Sequence, residues 1–245
     1  MAQKGRGGQR RGASPARRRP SSGRAAAARP GASRAPAAGT TAAAPEEPRI
    51  FRLGVIPGAT PGKWIDRWRD RMPHVPLELV HLEVRAQRRA LLAGEVDAAL
   101  VRLPIERDDL HVIALYEEAA VVVASAESAL GAVDELDPVD LEGEVVIVPR
   151  DDVLGPLPLP GTRAPRFEAP ETTGDAIATV AAGVGVVVVP QSLARLHHRR
   201  DVISRPLRGA PSSTVALAWH AERGTPDVDV FVGIVRGRTA NSSRG

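Results

Sequence analysis

Apolar residues in this chain come in short blocks whose period switches between that of a helix and that of a buried strand. The sharpest switch lies in residues 172–190, TTGDAIATVAAGVGVVVVP. Thr172 followed three residues later by Asp175 is a helix-start pattern, and Ala176, Ile177, Val180 and Ala181 fall on one helical face. Gly183 and Gly185 stop that helix, because glycine accepts the left-handed turn at a helix end. Residues 184–189 are too continuously apolar for a half-exposed strand. They predict an inner parallel strand covered on both faces and ended by Pro190. The carboxyl end of such a strand is where ligands sit in open α/β sheets.

The rest of the chain extends the pattern. Residues 50–56, IFRLGVI, predict a first strand. Thr60 as N-cap and Pro61 at the first helical position then open a helix on which Trp64, Ile65, Trp68 and Met72 share a face. Two Trp at this spacing read as core in preference to a ligand platform, with one edge available to a dimer contact. Met72 and Pro73 end the helix. A second strand at 77–84, a helix at 86–93 with Arg85, Arg88 and Arg89 outward, and a third strand at 96–101 follow. Residues 91–104, LLAGEVDAALVRLP, repeat the layout of 172–190: helix, Gly, apolar strand, Pro. Strands alternating with helices imply a parallel sheet with right-handed crossovers.

Further strands are predicted at 110–115 and 119–124, with Glu117 and Glu118 at the crossing between them, and at 144–148, 166–169, 202–204 and 215–219. Short helices are predicted at 190–196 and, started by Thr225, at 226–235. The prolines of 149–165, including PLPLPG, exclude a helix over most of that length. Residues 238–245 are polar and expected to fray.

Composition narrows the reading. The 245 residues, 43% hydrophobic and 25% charged, permit one or two domains with a real core. With only 3% aromatic residues that core must be Val, Leu, Ala and Ile. The chain has 0 Cys, which excludes disulfides, Cys-ligated zinc and a thiol nucleophile and suits a reducing cytoplasm. No apolar run approaches the roughly 20 residues of a membrane span, and no apolar segment follows Arg10 and Arg11, so a cytoplasmic location is expected.

Charge divides the chain sharply. Residues 1–44 hold ten Lys or Arg and no Asp or Glu, whereas the remainder holds 23 basic and 29 acidic residues. Residues 1–48, rich in Arg, Ala, Pro and Gly, bury too little to offset their ordering entropy and are expected to form a disordered basic tail. Arg10, Arg11, Arg17, Arg18 and Arg19 are its candidate phosphate contacts; a merely solubilising arm is the alternative.

Catalytic patterns do not emerge. The chain has no G-x-S-x-G elbow, H-E-x-x-H pair, Walker loop or G-x-G-x-x-G after a strand, so no enzyme, cofactor or metal site is expected. His197 and His198 are adjacent and share no helical face, and Asp108 and Asp109 read as turn formers.

Three segments in order, LLAGEVDAALVRLP, LHVIALYEEAAVVVASAESALGAVDELDPVDLEGE and TVAAGVGVVVVPQSLA, resemble the effector-binding (substrate-binding) domain of LysR-type transcriptional regulators. The likeness spans about residues 50–236. It implies the α/β, two-lobed type 2 periplasmic-binding-protein-like fold, a cleft for a small molecule, and side-by-side homodimers. By that analogy residues 50–237 form the domain, with lobe I at about 50–120 and 213–237 and lobe II at about 121–212. Family members carry an amino-terminal helix-turn-helix and a linker helix; here the basic tail stands in that space, and a piece of a longer regulator stays an open alternative. After Val148 the family usually has another helix, where this chain has its Pro-rich segment.

Backbone N–H groups at Gly58, Ala59 and Thr60 and at Thr172 and Thr173 would open one helix from each lobe towards the cleft, a setting that favours anions. Arg102 could pair with a carboxylate. The expected function is therefore non-enzymatic sensing of a small, anionic effector, a carboxylate among the candidates, linked to transcription through a partner regulator or the tail. The rival reading is a nucleic-acid-associated protein that acts through its tail and carries a degenerate ligand-binding body.

Overall fold

The computed structural model describes residues 49–237; the predicted tail at 1–48, with its five candidate arginines, and residues 238–245, expected from sequence to fray, lie outside them. The described chain builds two sheets. The first contains β1 (Phe51–Val55), β2 (Leu77–His81), β3 (Ala98–Arg102), β4 (Leu110–Glu118) and β9 (Ser213–His220), in the order β2-β1-β3-β9-β4. The second contains β5 (Ala120–Ser125), β6 (Val146–Ile147), β7 (Val186–Pro190) and β8 (Val202–Pro206), in the order β6-β7-β5-β8. They form the two lobes. Chain crossings occur at Ala119, between β4 and β5, and between β8 and β9.

The predicted parallel unit is present: β1 pairs in parallel with β2 and with β3. Helices α1 (Gly62–Arg71) and α5 (Pro226–Val235) cover one face of the first sheet, where Trp68, Val228 and Phe231 pack on Phe51, Leu53 and Leu100. Helix α2 (Gln87–Ala93) covers the other face, setting Ala90 and Leu91 against Ala99, Val101 and Ala216. The core is aliphatic as expected, apart from Phe51 and Trp68, which stack in that first cluster, and Phe231, tilted against both.

The two repeated units hold matching places. β3 lies between parallel β1 and antiparallel β9, and β7 lies between parallel β6 and antiparallel β5. Both strands are buried along their whole length, so each is internal but mixed in pairing. Helix α3 (Thr173–Ala181) precedes β7 and buries Ala176, Ile177 and Val180 against Val121, Val123 and Val187. On the opposite face Leu154, Leu157 and Leu159 of the Pro-rich segment pack against Val122, Val186 and Val188. A loop with alternating leucines thus does the covering for which a helix would serve.

Local differences from the pattern have local causes. Pro61, and not Thr60, is the N-cap of α1, because the Pro61 carbonyl accepts the first intrahelical bonds, from Trp64 at 2.9 Å and Ile65 at 3.1 Å. Residues 166–169 form no strand: the partner beside Val145 is Arg163, whose N–H and C=O bond to Glu144 and Val146. β7 starts at Val186, since Gly185 takes φ +64° and Val184 is exposed, and Pro190 is its last paired residue, opposite Ala120.

Gly185 also sits where a side chain has no room. A Cβ there would stand 2.2 Å from the Val145 carbonyl oxygen. Gly185→Ala is therefore expected to destabilise the chain by about 2–3 kcal/mol, the left-handed strain adding to displacement of the β6–β7 pairing. Chemical denaturation would measure it, and a loss below about 1 kcal/mol would mean that the loop relaxes freely.

Candidate functional site

A cleft of about 500 Å³ lies at the junction of the two sheets. Its walls are Gly58, Ala59 and Thr60 before α1, residues 116–119 at the β4–β5 crossing, and Gln191, Ser192, Arg195 and Leu196 of α4 (Gln191–Leu196). Each wall follows from local sequence. Gly58 has φ +83° and turns the chain so closely past α4 that a Cβ would lie 2.5 Å from Ser192 Oγ. A register shift between Ala114 and Tyr116 breaks the regular alternation of β4 just before its exposed end. Pro190 closes β7, and α4 begins at the next residue.

Under the cleft-facing residues lies a buried cation. Arg102, the last residue of β3, is 1% exposed. Its Nη1 donates to Glu118 Oε2 at 2.8 Å and to Ser213 Oγ at 2.6 Å, and its Nη2 reaches Ser192 Oγ at 3.4 Å. Ser192 in turn donates its hydroxyl to Glu118 Oε2 at 2.8 Å. The Arg102 main chain is clamped by Gln87, whose amide accepts from Arg102 N–H at 2.9 Å and donates to Arg102 C=O at 2.8 Å. One buried side chain therefore joins β3, both interlobe crossings and α4. Its Nε–H is buried and meets no protein acceptor, so the network is not saturated.

Charge in the cleft is close to balanced. Glu118 is offset by Arg102, while Glu117 accepts a bond from Ser212 Oγ at 2.9 Å and Arg195 lies exposed on the opposite wall. Burial pushes the Tyr116 phenol above its ordinary value, the Glu118 carboxylate adds to the rise and Arg102 opposes it. Tyr116 is thus a neutral hydroxyl at physiological pH. Among the described residues no group of His, Asp and Glu has the arrangement of a metal site.

Of the residues singled out by sequence, Gly58, Ala59 and Thr60 line the cleft, and Arg102 lies directly behind it. Thr172 and Thr173 are not among the lining residues. The Thr172 hydroxyl accepts from Asp175 N–H at 3.1 Å and donates to Asp175 Oδ2 at 2.7 Å, capping α3. Thr173 is buried and donates to Asp151 Oδ1 at 2.9 Å. In the second lobe α4 supplies the wall instead. Ser192, Arg195 and Tyr116 carried no local signal. Gln87 did carry one, being polar on the buried stripe it shares with Ala90 and Leu91.

Comparison with known proteins agrees with this architecture. Residues 46–240 match the family model described as the LysR substrate binding domain. The Hca operon transcriptional activator HcaR of Escherichia coli (strain K12) is 28% identical over 211 residues, covering 80% of this chain and 70% of HcaR. Among solved structures, the reduced form of the OxyR regulatory domain from Pseudomonas aeruginosa aligns with a TM-score of 0.61 at 24% identity, covering 77% of this chain and 95% of that one. The BenM effector-binding domain with its effector benzoate aligns with a TM-score of 0.63 at 18% identity, covering 77% and 91%. Two lobes, two crossings, a cleft at their junction and a family match over residues 46–240 place this chain in the LysR substrate-binding-domain family, whose members are transcriptional regulators and not enzymes.

Proposed function

We propose that this chain senses a small anionic effector of the carboxylate class in the cleft between Gly58–Thr60, the β4–β5 crossing and α4. The observation that carries the reading is the position of Arg102: a buried cation of lobe I bonded to Ser192 and Glu118, both of which face the cleft. Backbone donors at the start of α1 support it, since the first turn of that helix holds no acidic residue and no side-chain cap. Arg195, Ser192 and Gln191 add donors from the opposite wall. A ligand touching both walls has different affinity for open and closed lobes, and that difference is what shifts a conformational equilibrium.

The signal is chemical occupancy. Reduced and oxidised forms of OxyR share this fold, but the 245 residues here include no cysteine, so thiol oxidation is not their trigger. BenM takes benzoate as its effector, which makes benzoate the first probe. The output we assign is transcription regulation through a homodimer, with the α1 edge carrying half-buried Trp64 as its contact, or through a partner regulator. The ten basic and no acidic residues of 1–44 favour a second reading, in which the tail contacts nucleic acid.

Calorimetric titration of the full chain with benzoate, acetate and short dicarboxylates tests the sensor. Saturable heat is expected for at least one. At a ligand concentration near 100 times Kd the folded state gains about 2.7 kcal/mol, visible as a higher melting temperature. A chain lacking residues 1–44 is expected to respond equally. Absence of heat and of any melting shift with every carboxylate would overturn the reading and leave the tail as the functional element.

A further inference from the structure

The carboxylate that an effector would bring is already present in the protein. Glu118 is 10% exposed at its side chain, faces the cleft, and places Oε2 at 2.8 Å from Arg102 Nη1. Arg102 itself is not part of the cleft lining, so Glu118 and Ser192 form the layer between it and any ligand. The Glu118 oxygen that holds Arg102 also accepts the Ser192 hydroxyl of α4 at 2.8 Å. The same guanidinium holds Ser213, the first residue of β9 after the second crossing. Moving the Glu118 carboxylate away from both Arg102 and Ser192 therefore removes the shorter of the two bonds that tie Ser192 of α4 to this network.

From this arrangement we propose that Glu118 is a resident competitor, a built-in carboxylate that occupies Arg102 until an anionic effector takes its place. The inference rests on the carboxylate-sensing reading above and adds its specificity element. Binding is an exchange: the ligand carboxylate accepts from the Arg102 guanidinium, the Glu118 carboxylate turns into the cleft still ionised, and Ser192 loses the acceptor that held α4. Two consequences follow. A neutral isostere of the effector cannot displace Glu118, because it brings no charge to replace the one it removes from a buried cation. The intrinsic affinity of the cleft for anions is also higher than its apparent affinity, since only the fraction with Arg102 released can bind.

Glu117 provides the control. It faces the same cleft with the same charge but bonds Ser212 and not Arg102. The experiment titrates the full chain and its Glu118→Gln, Glu118→Asp and Glu117→Gln variants with benzoate and with benzamide. Glu118→Gln is expected to tighten benzoate by about tenfold or more, because the competitor is lost. Glu118→Asp, which keeps the charge but is one methylene shorter, is expected to tighten it as well, and remains decisive should the Gln variant fold poorly. Glu117→Gln is expected to change benzoate affinity by less than about threefold, the size of a screened, solvent-facing charge effect. Benzamide affinity is expected not to rise in any variant. Equal gains in the two Gln variants with none in Glu118→Asp would overturn the competitor and leave carboxylate sensing intact. No benzoate binding to any of the four proteins would overturn the carboxylate reading together with this inference.

Discussion

Arg102→Ala is expected to destabilise the chain by about 3–5 kcal/mol, the range measured when one partner of a buried ion pair is removed. The reason is the company Arg102 leaves behind. Glu118 keeps a carboxylate that is 10% exposed and loses its cation, and the hydroxyls of Ser213 and Ser192 lose a donor. The guanidinium also fills space behind the cleft at 1% exposure, so its removal opens a cavity. For a domain of this size each kcal/mol moves the melting temperature by roughly 2–4 °C, giving a fall of roughly 6–20 °C in a calorimetric scan. The double variant Arg102→Met with Glu118→Gln is expected to recover more than half of that loss, since no charge is then left buried. A single-variant loss below about 1 kcal/mol would show the pair to be as well solvated as a surface salt bridge and would remove the basis for the exchange at Glu118.

That network also marks the boundary of what the amino-acid pattern could reveal. Arg102 was visible as a cation closing an apolar strand, and Glu118 as an acid at a crossing, but nothing local joins them. Their separation is 16 residues, while Ser192 and Ser213 lie 90 and 111 residues from Arg102. Only the sheet order β2-β1-β3-β9-β4 and the pairing of the second lobe bring all four together. Helix and strand blocks were legible because burial imposes a period, and Thr225 was legible as a cap because its hydroxyl accepts from Val228 N–H at 3.3 Å. Thr60 misled because its neighbour Pro61 offers the first helical carbonyl, which no side-chain preference reports.

The same contrast separates the two helix starts that sequence had treated alike. Thr172 has the cap pattern and its hydroxyl bonds to Asp175 within α3, and it is not among the residues that line the cleft. At α1 the side-chain cap is missing, and the residues before the helix are left to line the cleft. A well-formed cap therefore argues against ligand contact by that hydroxyl, and an incomplete one leaves donors over. The Pro-rich segment teaches a related point. Its prolines forbid a helix, but Leu157 and Leu159 still alternate inward, which meets the sheet's need for an apolar cover without any regular element.

Trp68→Ala is expected to cost about 3–5 kcal/mol and to loosen the cleft as well as the core. Trp68 is fully buried, its ring lies 4.5 Å from that of Phe51 and 5.9 Å from that of Phe231, and its indole N–H donates to Val75 C=O at 2.9 Å. It thus ties α1 to β1, to α5 and to the turn that precedes β2. Because α1 begins just beyond Gly58–Thr60, the helix that Trp68 anchors also fixes one wall of the cleft. Trp68→Phe retains ring packing and loses the hydrogen bond, so about 1–2 kcal/mol is expected, including the Val75 carbonyl left without its donor. Urea denaturation followed by circular dichroism separates the two variants, and benzoate titration of the folded fraction reads the wall. A Trp68→Ala loss no larger than that of Trp68→Phe would mean that α5 collapses onto β1 and that the position of α1 is set elsewhere.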